Sequence, residues 1–214
     1  MILNEMQIMA RLLEEDPDQR IVIIPIIDAK TQFQPASIDL RLGTDFKVIK
    51  NVGFEFLDLL KEETGARLDI ANYTERIQIP YNGKFVLHPE EFALGCTLEY
   101  VKLPRDIAGR LEGRSTWGRA GLQIHATAGF VDPGFSGSLT FELQNVGKVP
   151  IPLFPGLRVA QISFYALKDS KGSFIPYTEK PYHKYGGRVE TVGALYYKEP
   201  EISILRKIHK EKRT

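Results

Sequence analysis

Ser138-Leu-Thr-Phe-Glu-Leu-Gln144 alternates polar and apolar side chains with a period of two. Successive side chains of a strand point to opposite faces. Leu139, Phe141 and Leu143 therefore share one face, and Ser138, Thr140, Glu142 and Gln144 share the other. Turn signals precede the run, at Asp132-Pro-Gly134 and Ser136-Gly137. The same grammar of short β-rich runs between Gly, Pro, Asn and Asp extends from Arg20 through most of the chain. Further runs are Ile21–Ile27, Ser37–Leu42, Phe46–Ile49, Arg76–Ile79, Lys84–Leu87, Ala93–Tyr100, Ile107–Leu111, Leu122–Val131 and Arg158–Tyr165. This density of short strands predicts a mostly β sandwich, jelly roll or barrel.

Two stretches depart from that pattern. Ile2, Leu3, Met6, Met9, Leu12 and Leu13 recur at helical spacing, which predicts one amphipathic N-terminal helix over Ile2–Glu15. Asp16-Pro17 ends it, because proline disfavours the helical conformation in its predecessor. Leu57–Ala66 is read as a short helix within an insertion. No repeat or low-complexity linker divides the chain. One domain is expected over residues 1–188, with a tail over residues 189–214.

The 214 residues suffice to bury a core, and 43% hydrophobic with 26% charged residues is ordinary for a globular chain. The net charge of +1 gives no long-range pull towards nucleic acid or an anionic membrane. The single cysteine, Cys96, allows no internal disulfide and fits a reducing cytoplasm. No apolar stretch reaches the ~18 to 20 residues that span a bilayer, and the start lacks the pattern of a signal peptide. The basic end, Arg206 to Arg213, reads as a solvated helix end or frayed tail.

The densest polar constellation is Glu112-Gly-Arg-Ser-Thr-Trp-Gly-Arg-Ala-Gly-Leu122, where two arginines, two hydroxyls and three glycines crowd together. Glycines let backbone amides approach an anion, and guanidinium forks match phosphate oxygens. A phosphate cradle is one reading, and a turn with surface arginines is the other. The Gly-Lys-Ser/Thr ending of a P-loop is missing. Asp132 either caps its turn or accepts a hydrogen bond from a sugar hydroxyl. Glu142 either faces solvent or stands on the floor of a site as a carboxylate tuned for proton transfer. Four histidines (88, 125, 183 and 209) and one cysteine show no zinc-ligand spacing, and the signature of the zinc deaminases is absent. His125 is read as structural or as a ring contact to a ligand, not as a metal ligand. Tyr177 to Arg188 reads as a mobile flap or as an ordinary surface connection.

Five separated motifs, in order, carry a resemblance. They are Gln34-Pro-Ala-Ser-Ile-Asp-Leu-Arg-Leu-Gly43, His88-Pro-Glu-Glu-Phe-Ala-Leu-Gly-Cys-Thr-Leu-Glu99, Gly113-Arg-Ser-Thr-Trp-Gly-Arg119, His125-Ala-Thr-Ala-Gly-Phe-Val-Asp-Pro-Gly-Phe135 followed by Thr140-Phe-Glu-Leu143, and Pro155-Gly-Leu-Arg-Val-Ala-Gln-Ile162. Together they resemble the deoxycytidine triphosphate deaminases of the dUTPase-like superfamily. The resemblance implies a distorted β-barrel or jelly roll, a homotrimer, and zinc-independent deamination of dCTP in pyrimidine deoxynucleotide metabolism. dUTPase activity alone, or a catalytically silent nucleotide-sensing trimer, are the alternatives.

It also implies roles. Glu142 matches the general base, Ser115 and the Ala128 carbonyl match the groups that position water, and Arg119 matches an arginine beside the site. Arg114, Ser115, Thr116, Trp117, Gly118 and Arg119 match the nucleotide-binding loop, and Asp132 the sugar contact. Thr140 and Phe141 match residues that flank the base. Gln161, Tyr177 and Lys184 match further nucleotide contacts, with the flap beginning at about 177. Implied ligands are nucleotides of the dCTP, dUTP and dTTP type, with Mg²⁺ carried on the triphosphate. Ala128-Gly-Phe130 resembles the branch that continues to dUMP and pyrophosphate. Trp117 stands where relatives usually carry leucine, and Arg188 where they carry glutamine, so Arg188 is expected to grip phosphate.

Overall fold

The structure is a computed structural model that describes residues 1–50, 74–168, 175–180, 183–195 and 198–211. The helix expected over Leu57–Ala66 lies outside them. Helix α1 (Glu5–Leu12) is shorter than its apolar pattern. Asn4 caps it through a reciprocal box with Gln7, and the helix ends at Leu13, before Asp16-Pro17. Of the apolar set only Leu3 is buried, while Ile2, Met6, Met9 and Leu13 stay exposed; the helix's buried contact is Ile8, which the pattern did not include. The chain turns inward before the apolar stripe is used up.

The remaining elements are β1 (Val22–Ile24), α2 (Ala29–Gln32), β2 (Phe33–Gln34), β3 (Ser37–Ile49), β4 (Thr74–Gln78), β5 (Phe85–Leu87), β6 (Phe92–Lys102) and β7 (Ile107–Gly113). After them come α3 (Ser115–Arg119), β8 (Leu122–Gln123), β9 (Phe130–Val131), β10 (Ser136–Asn145), β11 (Ile151–Leu153), β12 (Arg158–Ala166) and α4 (Pro200–Glu211). The expected mostly β fold is borne out. Ser37–Leu42 and Phe46–Ile49 are one strand, β3, whose register against β6 shifts between Leu42 and Phe46.

The sheet runs β8-β10-β6-β3-β12-β7-β9, with β1 on β6 and both β2 and β4 on β3. Its two ends, β8 and β9, are neighbours in sequence. Leu122–Val131, which reads as a single strand, is thus two short strands joined by residues 124–129. The joining residues bind both edges: Glu142 N–H donates to Ile124 O at 2.9 Å, and Leu111 N–H to Gly129 O at 2.6 Å. One loop thereby draws the sheet's opposite edges together into a curled half-barrel. A Cβ at Gly129 would stand 2.8 Å from Leu111 O, so this close approach requires glycine.

Strand β10 has the expected alternation, with Leu139, Phe141 and Leu143 buried and Ser138, Thr140, Glu142 and Gln144 partly accessible. Phe141 belongs to the same buried core as Ile38, Leu40, Phe46, Ile162 and Phe164, where Phe46 stacks on Phe85 at 4.7 Å. Three buried acids sit on the framework, each facing arginine: Asp39, Asp45 and Glu99. An unpaired buried charge would cost several kcal/mol (roughly 3 to 5 when a partner is removed), which accounts for the pairing.

Candidate active site

The polar face of β10 opens onto a cleft of about 600 Å³, within the range of small-molecule sites. Ser138, Thr140 and Glu142 line it in a row, because they alternate with the core residues. It is also lined by His125 and Ala128 from the loop that joins β8 to β9, by Phe130 of β9 and by Asp132 from the turn after it. The Glu142 carboxylate is held by that loop: Ala126 N–H donates to Oε2 at 2.7 Å. One oxygen is thus occupied by a backbone donor, and the carboxylate lies in the cleft wall. Solvent exposure is not its whole environment.

His125 faces Glu112, with Nε2 3.5 Å from Oε2. Arg110 Nε donates to the other Glu112 oxygen at 2.5 Å and holds that carboxyl below its usual range. The Asp132 carboxylate makes no hydrogen bond among the described residues, so it does not cap its turn. Instead the turn is closed by Phe135 N–H to Asp132 O at 3.1 Å. Asp132 is left as an acceptor facing the cleft.

The region expected to be a flap docks on this turn. Tyr177 N–H donates to Pro133 O at 3.0 Å and its ring lies 6.0 Å from that of Phe135. The Tyr177 hydroxyl accepts from Lys184 N–H at 3.3 Å and Tyr185 N–H at 3.0 Å. Tyr177, Lys184 and Tyr185 all line the cleft, and the Lys184 ammonium is paired with Glu199. Sequence reasoning missed Phe130, Tyr185 and Val192–Ala194, which also line it. Phe130 comes in on β9 and Tyr185 through its N–H to the Tyr177 hydroxyl, while nothing local marks Val192–Ala194, which the path of the chain after Arg188 brings there.

Other expected site residues lie elsewhere. None of Arg114 to Arg119 lines the cleft among the described residues. This loop forms α3, with Ser115, Thr116, Gly118 and Arg119 exposed. The Arg114 guanidinium is tied down, with Nε 3.1 Å from Asp39 Oδ2 and an N–H to Arg158 O at 2.9 Å. Trp117 Nε1 donates to the same carbonyl at 2.9 Å. Burial pushes the Asp39 carboxyl up, against the opposing pull of Arg114 and Arg158. Arg119 makes no hydrogen bond or ion pair among the described residues. Gln161 sits at the Gly113 end of β7, its amide donating to Gly113 O at 3.4 Å. Phe141 points into the core, away from the cleft, at 0% exposure. Arg188 is exposed, its guanidinium 4.0 Å from Glu190.

A family model described as dCTP deaminase-like matches residues 2–167. The chain belongs to the dCTP deaminase-like family. It is 44% identical over 187 residues to a dCTP deaminase, dUMP-forming, of Dictyoglomus turgidum, covering 87% of this chain and 88% of that one. A dCTP deaminase, dUMP-forming, of Methanobrevibacter smithii is 48% identical over 145 residues, covering 68% and 72%. A dCTP deaminase of Haloarcula marismortui is 38% identical over 188 residues, covering 88% and 91%. The crystal structure of 2'-deoxycytidine 5'-triphosphate deaminase from Agrobacterium tumefaciens shares the fold, with a TM-score of 0.57 at 23% identity. It aligns with 78% of this chain, and this chain spans about half of that one (48%). Among the described residues of this family member, no three His, Cys, Asp or Glu side chains converge as a metal site. No helix there is long and apolar enough to cross a membrane.

Proposed function

We propose that this chain hydrolyses the C4 amino group of dCTP and carries the product on to dUMP and pyrophosphate. The observation that carries the reading is the Glu142 carboxylate, fixed by Ala126 N–H at 2.7 Å in a cleft that also presents Asp132, Thr140, Tyr177 and Lys184. Glu142 takes a proton from water, and the resulting hydroxide adds to C4 of the cytosine ring. The proton passes to N3, and a second transfer through the same carboxylate releases ammonia. Ser115 and the Ala128 carbonyl hold the water. Asp132 accepts from a sugar hydroxyl, and Lys184 meets the phosphates, with Mg²⁺ entering as part of the substrate. Water attack on the triphosphate then yields dUMP and pyrophosphate. The names of the relatives and the Ala128-Gly-Phe130 run support this second step.

The working form is a homotrimer in which α3 of one subunit completes the cleft of the next. What supports this is the position of Ser115 and Arg119, exposed on α3 and outside their own chain's cleft. Incubation with dCTP and Mg²⁺ tests the chemistry: ammonia, dUMP and pyrophosphate are expected. Ammonia with dUTP alone would restrict the reading to its first step, and no ammonia would overturn it. Mixing inactive Glu142→Gln and Arg119→Ala chains tests the shared cleft. Random closed trimers should recover about a quarter of the wild-type sites, whereas no recovery would place Arg119 and Glu142 in one chain's site.

A further inference from the structure

The segment after Gly186 is stitched to the barrel by bonds that the deamination scheme does not use. Gly187 N–H donates to Ser136 O at 2.6 Å, and Ser138 N–H to Arg188 O at 2.8 Å. A Cβ at Gly137 would lie 2.6 Å from Arg188 O, so the Ser136-Gly137 pair that reads as a turn signal instead makes room for this strap. Three residues further on, Thr191 is fully buried. Its N–H donates to Asp45 Oδ2 at 2.8 Å and its hydroxyl to Asp45 O at 2.6 Å. The other carboxylate oxygen of Asp45 takes Arg76 Nε at 2.5 Å, and Arg76 also reaches Glu190 at 3.3 Å.

Past this anchor the chain crosses the Glu142 cleft. Val192 N–H lies 3.4 Å from Thr140 Oγ1, Leu195 N–H donates to the Tyr185 hydroxyl at 3.3 Å, and Leu195 is buried. Val192, Gly193 and Ala194 form one wall of that cleft. A second cleft of about 540 Å³ is lined by Asp45 and Arg76 with Val189 and Glu190 of the strap. The strap thus contributes to both clefts, and its buried attachment is Asp45.

We propose that Asp45 is a positioning residue of the nucleotide cleft, which pins Thr191 so that Val192–Ala194 stand as a fixed wall beside Thr140 and Glu142. The inference rests on the reading that this cleft binds dCTP. Asp45 lies outside the cleft and touches no reacting group. The Glu142 carboxylate is held separately, by Ala126. Loosening the wall should therefore weaken the hold on substrate and leave the chemical step intact, a rise in KM without a matching fall in kcat.

The test compares full-length Asp45→Asn, Thr191→Ala and Thr191→Ser with wild type, reading backbone hydrogen exchange over residues 187–195 alongside KM and kcat for ammonia release from dCTP. Asp45→Asn should speed exchange in that segment about tenfold while β6 and β10 stay protected. It should raise KM about fivefold, with kcat within about twofold of wild type. Thr191→Ala should move both readouts the same way by losing the hydroxyl bond, and Thr191→Ser should restore them. Faster exchange with unchanged KM would overturn the proposal, as would unchanged exchange, or a fall in kcat alone. If Asp45→Asn does not fold, the two Thr191 variants decide. A wild-type chain that releases no ammonia from dCTP overturns the functional reading instead, and the exchange comparison still reports whether Asp45 holds the strap.

Discussion

Replacing Glu142 by glutamine removes proton acceptance and little else. The carboxylate accepts one hydrogen bond from Ala126 N–H at 2.7 Å, and the glutamine carbonyl can accept the same bond. The backbone bond from Glu142 N–H to Ile124 O does not involve the side chain. The neighbours that build the core, Phe141 and Leu143, point to the opposite face of β10. A charged acceptor becomes a neutral one, which costs about 1 kcal/mol, or roughly 2 to 4 °C in melting temperature for a domain of this size. The catalytic loss is far larger. A positioned general base contributes about 10²- to 10⁴-fold, equivalent to about 3 to 5 kcal/mol of barrier, and here one group serves successive proton transfers. Ammonia release at saturating dCTP should therefore fall by at least about a hundredfold, while the dissociation constant for dCTP stays within a few-fold. A turnover rate within about tenfold of wild type, in a variant that binds dCTP normally, would remove Glu142 from proton transfer and refute the mechanism.

Three further outcomes are expected. Arg188→Ala should raise KM for dCTP about tenfold, the worth of one charge-assisted hydrogen bond, since the exposed 4.0 Å contact with Glu190 is too weak to hold the guanidinium from phosphate. Arg188→Gln should retain much of the activity, and kinetics indistinguishable from wild type in both variants would leave Arg188 on the surface. Glu199→Gln frees the Lys184 ammonium from its carboxylate and should lower KM about two- to fivefold; a rise in KM would make Glu199 a support of the cleft. Strong zinc chelation followed by resupply of Mg²⁺ should leave ammonia release intact, and recovery on zinc alone would mean that the attacking water is metal-activated.

The β architecture and the carboxylate face were legible in the sequence because both depend on a period of two. Ser138 to Gln144 can bury Leu139, Phe141 and Leu143 only by presenting Glu142 to the other side, and no distant contact is needed to see it. Leu122–Val131 misled for the opposite reason. Its composition suits a strand throughout, but the segment leaves the β10 edge and joins the β7 edge within a few residues, so its middle is spent on crossing. That crossing is what carries Ala126 N–H to Glu142. Around α1 the apolar spacing was real, yet Met6, Met9 and Leu13 stay exposed. Val192–Ala194 had no local mark, because Thr191 reaches Asp45 across 146 residues of chain.

The position of α3 follows from the same separation of local and distant causes. Gly113 to Arg119 looks like a phosphate cradle, and a cradle is expected to sit beside the carboxylate proposed as the base, Glu142. Its first arginine is committed to the framework: Arg114 and Arg158 both meet the buried Asp39 carboxylate, at 3.1 and 3.0 Å. Trp117 adds a third tie, to the Arg158 carbonyl. These bonds fix the base of the loop, while Ser115, Thr116 and Arg119 are exposed and their side chains make no hydrogen bond among the described residues. A loop that is rigid at its base and unsatisfied at its tip is suited to reach a neighbour's cleft rather than its own. On the proposed trimer the two halves of the constellation would meet across a subunit boundary, and the spacing of residues within one chain carries no mark of that.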